Sequence, residues 1–294
     1  MQEISEVFED LEQQTYAFNL QRDVIRVIGP DAGSFLQGQL TQDVLSLGQG
    51  QSAWSFLLNP DGKINTWLRV TLGDEEHYLI DIDKGFGEKA LSRLLRFKLR
   101  TKCELLLEEW DWLALRGKDA HDFLEDSHAD LVSAESAWRT CKSLDLIGGK
   151  IDRLSGPSYE SEEFYEYMRI LSGIPTMGAE LHEKVIPAET GLIQMSVSFT
   201  KGCYTGQELV ARIDSRGNNV PRRLMIIEAY NQIYIGDEIF VKEVRSGLLT
   251  SVAQRGAFTV GLAYISRNVE PPVTGKIRSN PVYIKSQQLD SHVD

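Results

Sequence analysis

The segment Lys201-Gly202-Cys203-Tyr204-Thr205-Gly206-Gln207-Glu208 narrows what this chain can become more than any other stretch of it. Two glycines bracket a cysteine, a tyrosine and polar groups. Glycine weakens helix and strand interiors, and it admits positive φ and close backbone approach. The octapeptide therefore reads as a tight bend that presents a thiol at a surface. Apolar spacing returns at Leu209-Val210-Ala211-Arg212, so a helix is expected to open after Gly206. Its N-terminal N–H groups and dipole, with the neighbouring Lys201, would favour a thiolate or an anionic ligand at Cys203.

The other cysteines, Cys103 and Cys141, form no CxxC pair with it. An odd, scattered set argues against a disulfide framework or a structural zinc site, and for reduced thiols in the cytoplasm. Cys103 and Cys141 sit in apolar, strand-like runs and read as core. The 294 residues suffice for two or three domains. A net charge of −12 argues against direct nucleic-acid binding, which rests on Lys and Arg at phosphates. Met1-Gln2-Glu3-Ile4-Ser5-Glu6 lacks the basic and apolar regions of a signal peptide, and no apolar run approaches the ~18 residues of a membrane span. The expectation is a cytoplasmic monomer without membrane contact. The histidines (77, 121, 128, 182 and 292) show no i, i+4 pair and no HExxH, which disfavours a metal site. No GxSxG elbow, Walker loop or helix-opening GxGxxG is present.

Residues 24–28 alternate as a strand, and Asp31 is expected to cap a helix over 32–40. Strands at 53–58 and 64–71 flank the turn Asn59-Pro60-Asp61-Gly62, whose proline and glycine suit type I geometry. Further strands are expected at 78–82, 102–107, 112–115, 138–147 and 149–154. Helices are expected at 84–99, 119–124 and 160–172, the last stopped by Gly173 with Pro175 behind it. Beyond 223, short strands punctuated by Gly, Asn and Pro predict a small β-barrel or sandwich, with a disordered tail over the last ten or so residues. The fold class is α+β.

The octapeptide, continued by Ala211-Arg212, resembles the signature of the YgfZ family, folate-binding relatives of the glycine-cleavage T protein, an aminomethyltransferase. Phe35-Leu36-Gln37-Gly38-Gln39-Leu40-Thr41-Gln42-Asp43-Val44 is similar to that family's early segment, and residues 57–64 to its strand-turn-strand. Gly173-Ile174-Pro175, Pro187-Ala188-Glu189 and Gly247-Leu248-Leu249-Thr250-Ser251 resemble later family segments. The resemblance implies a three-domain cloverleaf around a folate-binding opening. Residues 1–50 with 140–222 would form a discontinuous folate-binding α+β domain. Residues 51–139 would be an inserted ferredoxin-like α+β domain, and 223–294 a small C-terminal β-barrel.

The resemblance also implies a function: support of iron–sulfur cluster assembly or repair in selected enzymes, including tRNA-modifying ones. Tetrahydrofolate or a derivative would be the cofactor, and iron–sulfur enzymes or cluster-assembly proteins the partners. Cys203 would be the working thiol. A lone cysteine supplies at most one cluster ligand, since clusters take four thiolates. Asp43 would accept from pterin N–H groups, although a turn cap is its plain structural reading. Lys201, Tyr204, Gln207, Glu208 and Arg212 would complete the binding set, Tyr204 either stacking on a pterin or simply packing. Arg212, Arg216, Arg222 and Arg223 read as solvated charges or as a basic surface for folate's glutamate tail, RNA or a partner.

The alternative is a folate-dependent aminomethyltransferase or demethylase. Two departures count against it. The T protein usually has an acidic residue where Cys203 stands. Aligned on the turn glycine, Thr66 and Trp67 occupy the places of its paired aspartates, and neither can act as a carboxylate base or stabilise a developing iminium charge.

Overall fold

The structure, a computed structural model, describes residues 2–73, 77–124, 131–217 and 219–287. Histidines 128 and 292, and the expected tail from residue 288, lie outside them. The first part of the chain runs α1 (Gln2–Gln13), β1 (Thr15–Ile28), α2 (Ala32–Gln39), β2 (Ser52–Leu58), β3 (Ile64–Leu72) and β4 (His77–Asp83). It continues α3 (Gly87–Phe97), β5 (Glu104–Gly117), β6 (Val132–Glu135), β7 (Ser143–Gly148) and β8 (Ser158–Tyr159). Then come α4 (Glu162–Leu171), α5 (Ile193–Ser196) and α6 (Gln207–Asp214).

One sheet takes the order β2-β3-β4-β1-β5-β7-β6, with β8 added to β1. Strand β1 lies between β4 and β5, so residues from both sides of position 50 share this sheet. The two strands expected at 102–107 and 112–115 are one strand, β5, paired with β1 along its whole length from Glu104 to Gly117. The acidic pair Glu108-Glu109 interrupts the apolar pattern without interrupting the ladder. Residues 149–154 form no strand, and β6 and α1 are additions that the residue pattern did not disclose. Asp31 precedes α2 without capping it by its side chain. Its carboxylate instead accepts from the Lys102 N–H at 2.7 Å.

Strand alternation gives the sheet two unlike faces. Ile25, Val27, Leu68, Val70, Ile80 and Ile82 face α2 and α3 in one apolar cluster. The opposite face carries Arg22, Trp67, Arg69, Asp81, Asp83, Trp112 and Arg116, a pattern incompatible with an ordinary apolar core. Ser161 caps α4 by accepting from the Phe164 N–H, and the left-handed Gly173 (φ +73°) ends it.

The remaining strands, β9 (Arg222–Ala229), β10 (Glu238–Val241), β11 (Val244–Arg255), β12 (Phe258–Ser266), β13 (Val273–Ile277) and β14 (Asn280–Ser286), close into a barrel. Met225 and Ile227 fill its interior, while Leu224 and Ile226 join the cluster that includes Met168 and Ile170 of α4. Glu180, fully buried, fixes the barrel to the body. One of its carboxylate oxygens accepts from Thr250 and Ser251 hydroxyls at 2.6 Å each, and its carbonyl accepts from the Tyr264 hydroxyl at 3.0 Å. The Gly247–Ser251 segment thus serves as a docking edge. No helix among the described residues is long and apolar enough to cross a membrane.

Candidate functional site

A cavity of about 1190 Å³ opens between the charged face of the sheet, α4 and β11. Trp54, Trp67, Trp112 and Trp138 line it, giving it flat aromatic walls. Trp54 and Trp67 stack with ring centroids 4.2 Å apart and planes 21° from parallel.

Beneath these rings six side chains alternate in charge. Arg116 Nη1 lies 2.9 Å from Asp145, whose other oxygen is 2.8 Å from Arg69 Nη1. Arg69 Nε reaches Asp81 at 2.9 Å, Asp81 meets Arg22 Nε at 2.7 Å, and Arg22 Nη1 meets Asp83 at 2.7 Å. Arg116, Arg69 and Arg22 lie under Trp138, Trp54 and Trp112 at 4.6, 5.1 and 4.9 Å from the ring centroids. Cation–π contact and opposite charge together hold the guanidiniums in a desolvated layer. Burial alone would lift the Asp145 carboxyl, but Arg116 and Arg69 overcome it and hold the group below its ordinary value. Asp83 spends its second oxygen on the Thr176 hydroxyl and the Met177 N–H, both at 2.9 Å.

The seven residues singled out from the sequence are placed elsewhere. None of Asp43, Lys201, Cys203, Tyr204, Gln207, Glu208 and Arg212 belongs to the cavity lining. The octapeptide bends as expected: α6 opens after Gly206, which is left-handed at φ +85°. Cys203 is exposed. Lys201 is not directed at the thiol. Its ammonium donates to the carbonyls of Gln37, Leu40 and Gln42 at 2.7, 2.7 and 2.9 Å, which uses all three of its protons. Burial pulls this ammonium down to about 8, against the opposing pull of Asp43. Asp43 accepts from the Gln37 amide at 2.9 Å. Tyr204 packs half-buried against the core, 5.2 Å from the Lys201 ammonium by its ring centroid, and burial pushes its phenol up to about 12. Gln207 accepts from the Tyr204 N–H at 3.1 Å. Glu208 and Arg212 are exposed on α6.

Lys201, Asp43, Tyr204 and Gln207 are therefore brought together as the frame of the cysteine bend. Of the four arginines near it, Arg222 pairs with Glu189 at 3.1 Å and stacks on Tyr264. Arg223 borders a separate recess, and Arg212 and Arg216 are exposed. The charged cavity residues were missed by motif reading. Their signal was present as arginine and aspartate in strand interiors, where an isolated charge would be costly.

The hairpin turn between β2 and β3 packs directly on the bend. A Cβ on Gly206 would stand 2.6 Å from the Asn59 carbonyl oxygen, and one on Gly62 (φ +79°) 2.5 Å from Leu209 Cβ. Gly206→Ala is expected to cost more than about 2 kcal/mol, since it combines left-handed backbone strain with a backbone clash. A urea midpoint that matches wild type would contradict this packing.

The model of the GCVT N-terminal domain matches residues 21–169, just over half of the chain. The chain belongs to the GCVT N-terminal domain family. An "iron-sulfur cluster assembly factor IBA57 homolog, mitochondrial" from Coccidioides immitis is 32% identical over 244 residues, covering 71% of this chain and 56% of that protein. A "tRNA-modifying protein YgfZ" from Aliivibrio fischeri is 28% identical over 209 residues, covering 67% and 65%. The chain thus spans less than two thirds of either relative's length. The crystal structure of the glycine cleavage system aminomethyltransferase T from Bartonella henselae superposes with a TM-score of 0.78. It is 19% identical, with 97% of this chain and 89% of that one covered. That likeness concerns the fold.

Proposed function

We propose that this protein binds tetrahydrofolate or a derivative in the tryptophan-lined cavity and, through Cys203, supports assembly or repair of iron–sulfur clusters in selected enzymes, tRNA-modifying ones among them. The observation that carries the reading is the stacked Trp54–Trp67 wall of a cavity this large, in a chain whose relatives are named for cluster assembly and tRNA modification. Flat aromatic faces suit a pterin, and pockets of this scale suit a cofactor. The wall also holds buried donors without a hydrogen-bond partner, Trp54 Nε1 and Arg116 Nε and Nη2, which matches a heterocycle rich in acceptors. Lys84 and Arg153 in the lining are placed to meet the glutamate carboxylates, a role the residue pattern had offered to the arginines after the bend.

Tetrahydrofolate supplies one-carbon carrying capacity and a reduced pterin when bound. The chain supplies the rest. The paired aspartates and arginines hold the tryptophans rigid, so the cavity is shaped before a ligand arrives. The cysteine bend, braced by Lys201 and Gln207, presents the thiol outside the cavity, where a cluster or a partner's iron is the substrate. Transfer chemistry of the aminomethyltransferase kind is disfavoured. Trp67 occupies the expected acidic place, Thr66 is buried against Asn65, and Asp83 and Asp145 are committed to arginines. The protein works as a cytoplasmic monomer and reaches tRNA only through its client enzymes.

Tetrahydrofolate titrated into the protein should quench tryptophan fluorescence saturably, and Trp54→Ala should weaken binding about tenfold, the scale of losing one stacking partner. Absence of saturable binding would remove the cavity from the account.

A further inference from the structure

The cavity and the cysteine bend are separate places joined by one line of hydrogen bonds, buried at its cavity end and half-buried at the bend. It starts at Trp67, whose indole Nε1 donates to the Ser196 hydroxyl at 3.0 Å. The Ser196 carbonyl accepts from the Thr41 hydroxyl at 2.6 Å, and the Thr41 carbonyl accepts from the Ser198 N–H at 3.0 Å. The next residue, Gln42, sends its side-chain amide to the Met195 carbonyl at 3.2 Å and offers its own carbonyl to the Lys201 ammonium. Trp67 is 3% exposed, and Ser196 and Thr41 are fully buried. Water cannot readily substitute for a broken link among these three, so they shift together.

The line ends two residues from Cys203. The lysine at that end is seated on three carbonyls, those of Gln37, Leu40 and Gln42. At the other end Trp54 and Trp67 both line the cavity and stack on each other, so a ligand that displaces either indole displaces the pair. We infer that occupation of the cavity is coupled to the cysteine bend through Trp67, Ser196 and Thr41, so that a bound pterin holds Lys201 seated and slows reaction of the Cys203 thiol. This rests on the folate reading given above and deepens it: the folate acts as a signal to the thiol without touching it. Ser196 and Lys201 are then positioning residues, since neither lines the cavity.

Linkage makes the coupling reciprocal, whatever its route. Saturating tetrahydrofolate should slow iodoacetamide alkylation of Cys203, read on its own peptide, by about fivefold, the lower end of ordinary coupling. Protein already alkylated at Cys203 should also bind tetrahydrofolate more weakly than the free thiol form, a measurement that needs no variant. Ser196→Ala removes the acceptor of the indole N–H and lies outside the cavity. It should bind tetrahydrofolate within about threefold of wild type while alkylation becomes indifferent to the ligand. Lys201→Met should be likewise indifferent.

Saturable binding with an unchanged or faster alkylation rate in wild type overturns the coupling and leaves the folate reading standing. Coupling that persists in Ser196→Ala overturns the route proposed for it. Absence of binding overturns both the reading and the coupling.

Discussion

Arg69→Leu is expected to destabilise the protein by about 3–5 kcal/mol and to lower its melting temperature by roughly 10 °C. Arg69 is 1% exposed and stands between two buried carboxylates, bonding Asp81 through Nε and Nη2 and Asp145 through Nη1. It also donates to the Glu135 carbonyl at 2.9 Å, which ties the edge strand β6 to the centre of the sheet. Leucine would fill much of the volume but leave Asp81 with Arg22 alone and Asp145 with Arg116 alone. The penalty arises from a negative charge left in a low-dielectric layer, more than from the worth of the pairs themselves. A melting temperature within about 2 °C of wild type would show that water reaches this layer and screens it.

The same substitution should change the acid limb of the stability curve. Asp145 ionises in the folded protein below its ordinary value of 3.8. As pH falls, the unfolded chain therefore takes up the proton first. The stability contributed by Asp145 is complete above about pH 4 and is lost as pH drops through the folded value. Without Arg69 the folded carboxyl moves back up, so acid unfolding of Arg69→Leu should begin at a higher pH. Superimposable acid limbs for the two proteins would contradict the assignment of this group.

Much of the fold could be read from local chemistry. The turn Asn59–Gly62 and its two strands, the stop of α4 at Gly173 and the start of α6 at Gly206 follow from glycine, proline and apolar spacing, and each is found where expected. The presence of a C-terminal barrel follows from the same signals. The misses have a common cause. Strand β5 divides in the residue pattern at Glu108-Glu109 because its exposed face is polar, and α1 gives a weak signal because Val7, Phe8 and Leu11, which pack on the core, stand among acidic neighbours. Tertiary pairing decided both.

The candidate site was legible as two unequal halves. The cysteine bend is legible through its glycines, whereas Lys201, Tyr204 and Gln207, expected from the resemblance to bind folate, form its frame, with Lys201 on carbonyls. The cavity has no such signal, because its parts come from seven strands, a helix and the loops between them and share no motif. Only the placement of Arg22, Arg69, Asp81, Arg116 and Asp145 inside strands hinted at a charged interior. Of the residues that join the halves, Thr41 stands in the family-like segment 35–44, but Ser196 has no sequence signature: a serine there acquires meaning only when the fold brings Trp67 to it.

The central claim is that the exposed thiol serves cluster-dependent enzymes. In a bacterium lacking its own family member, tRNA thiomethylation by an iron–sulfur enzyme should be measured with wild-type protein, Cys203→Ala and Cys141→Ala. Cys203 is exposed in an irregular segment, so its alanine variant should fold with unchanged stability. Restoration by wild type and Cys141→Ala, with no restoration by equally abundant Cys203→Ala, is the predicted result. Equal restoration by all three would contradict the account and reduce Cys203 to a bystander of the bend.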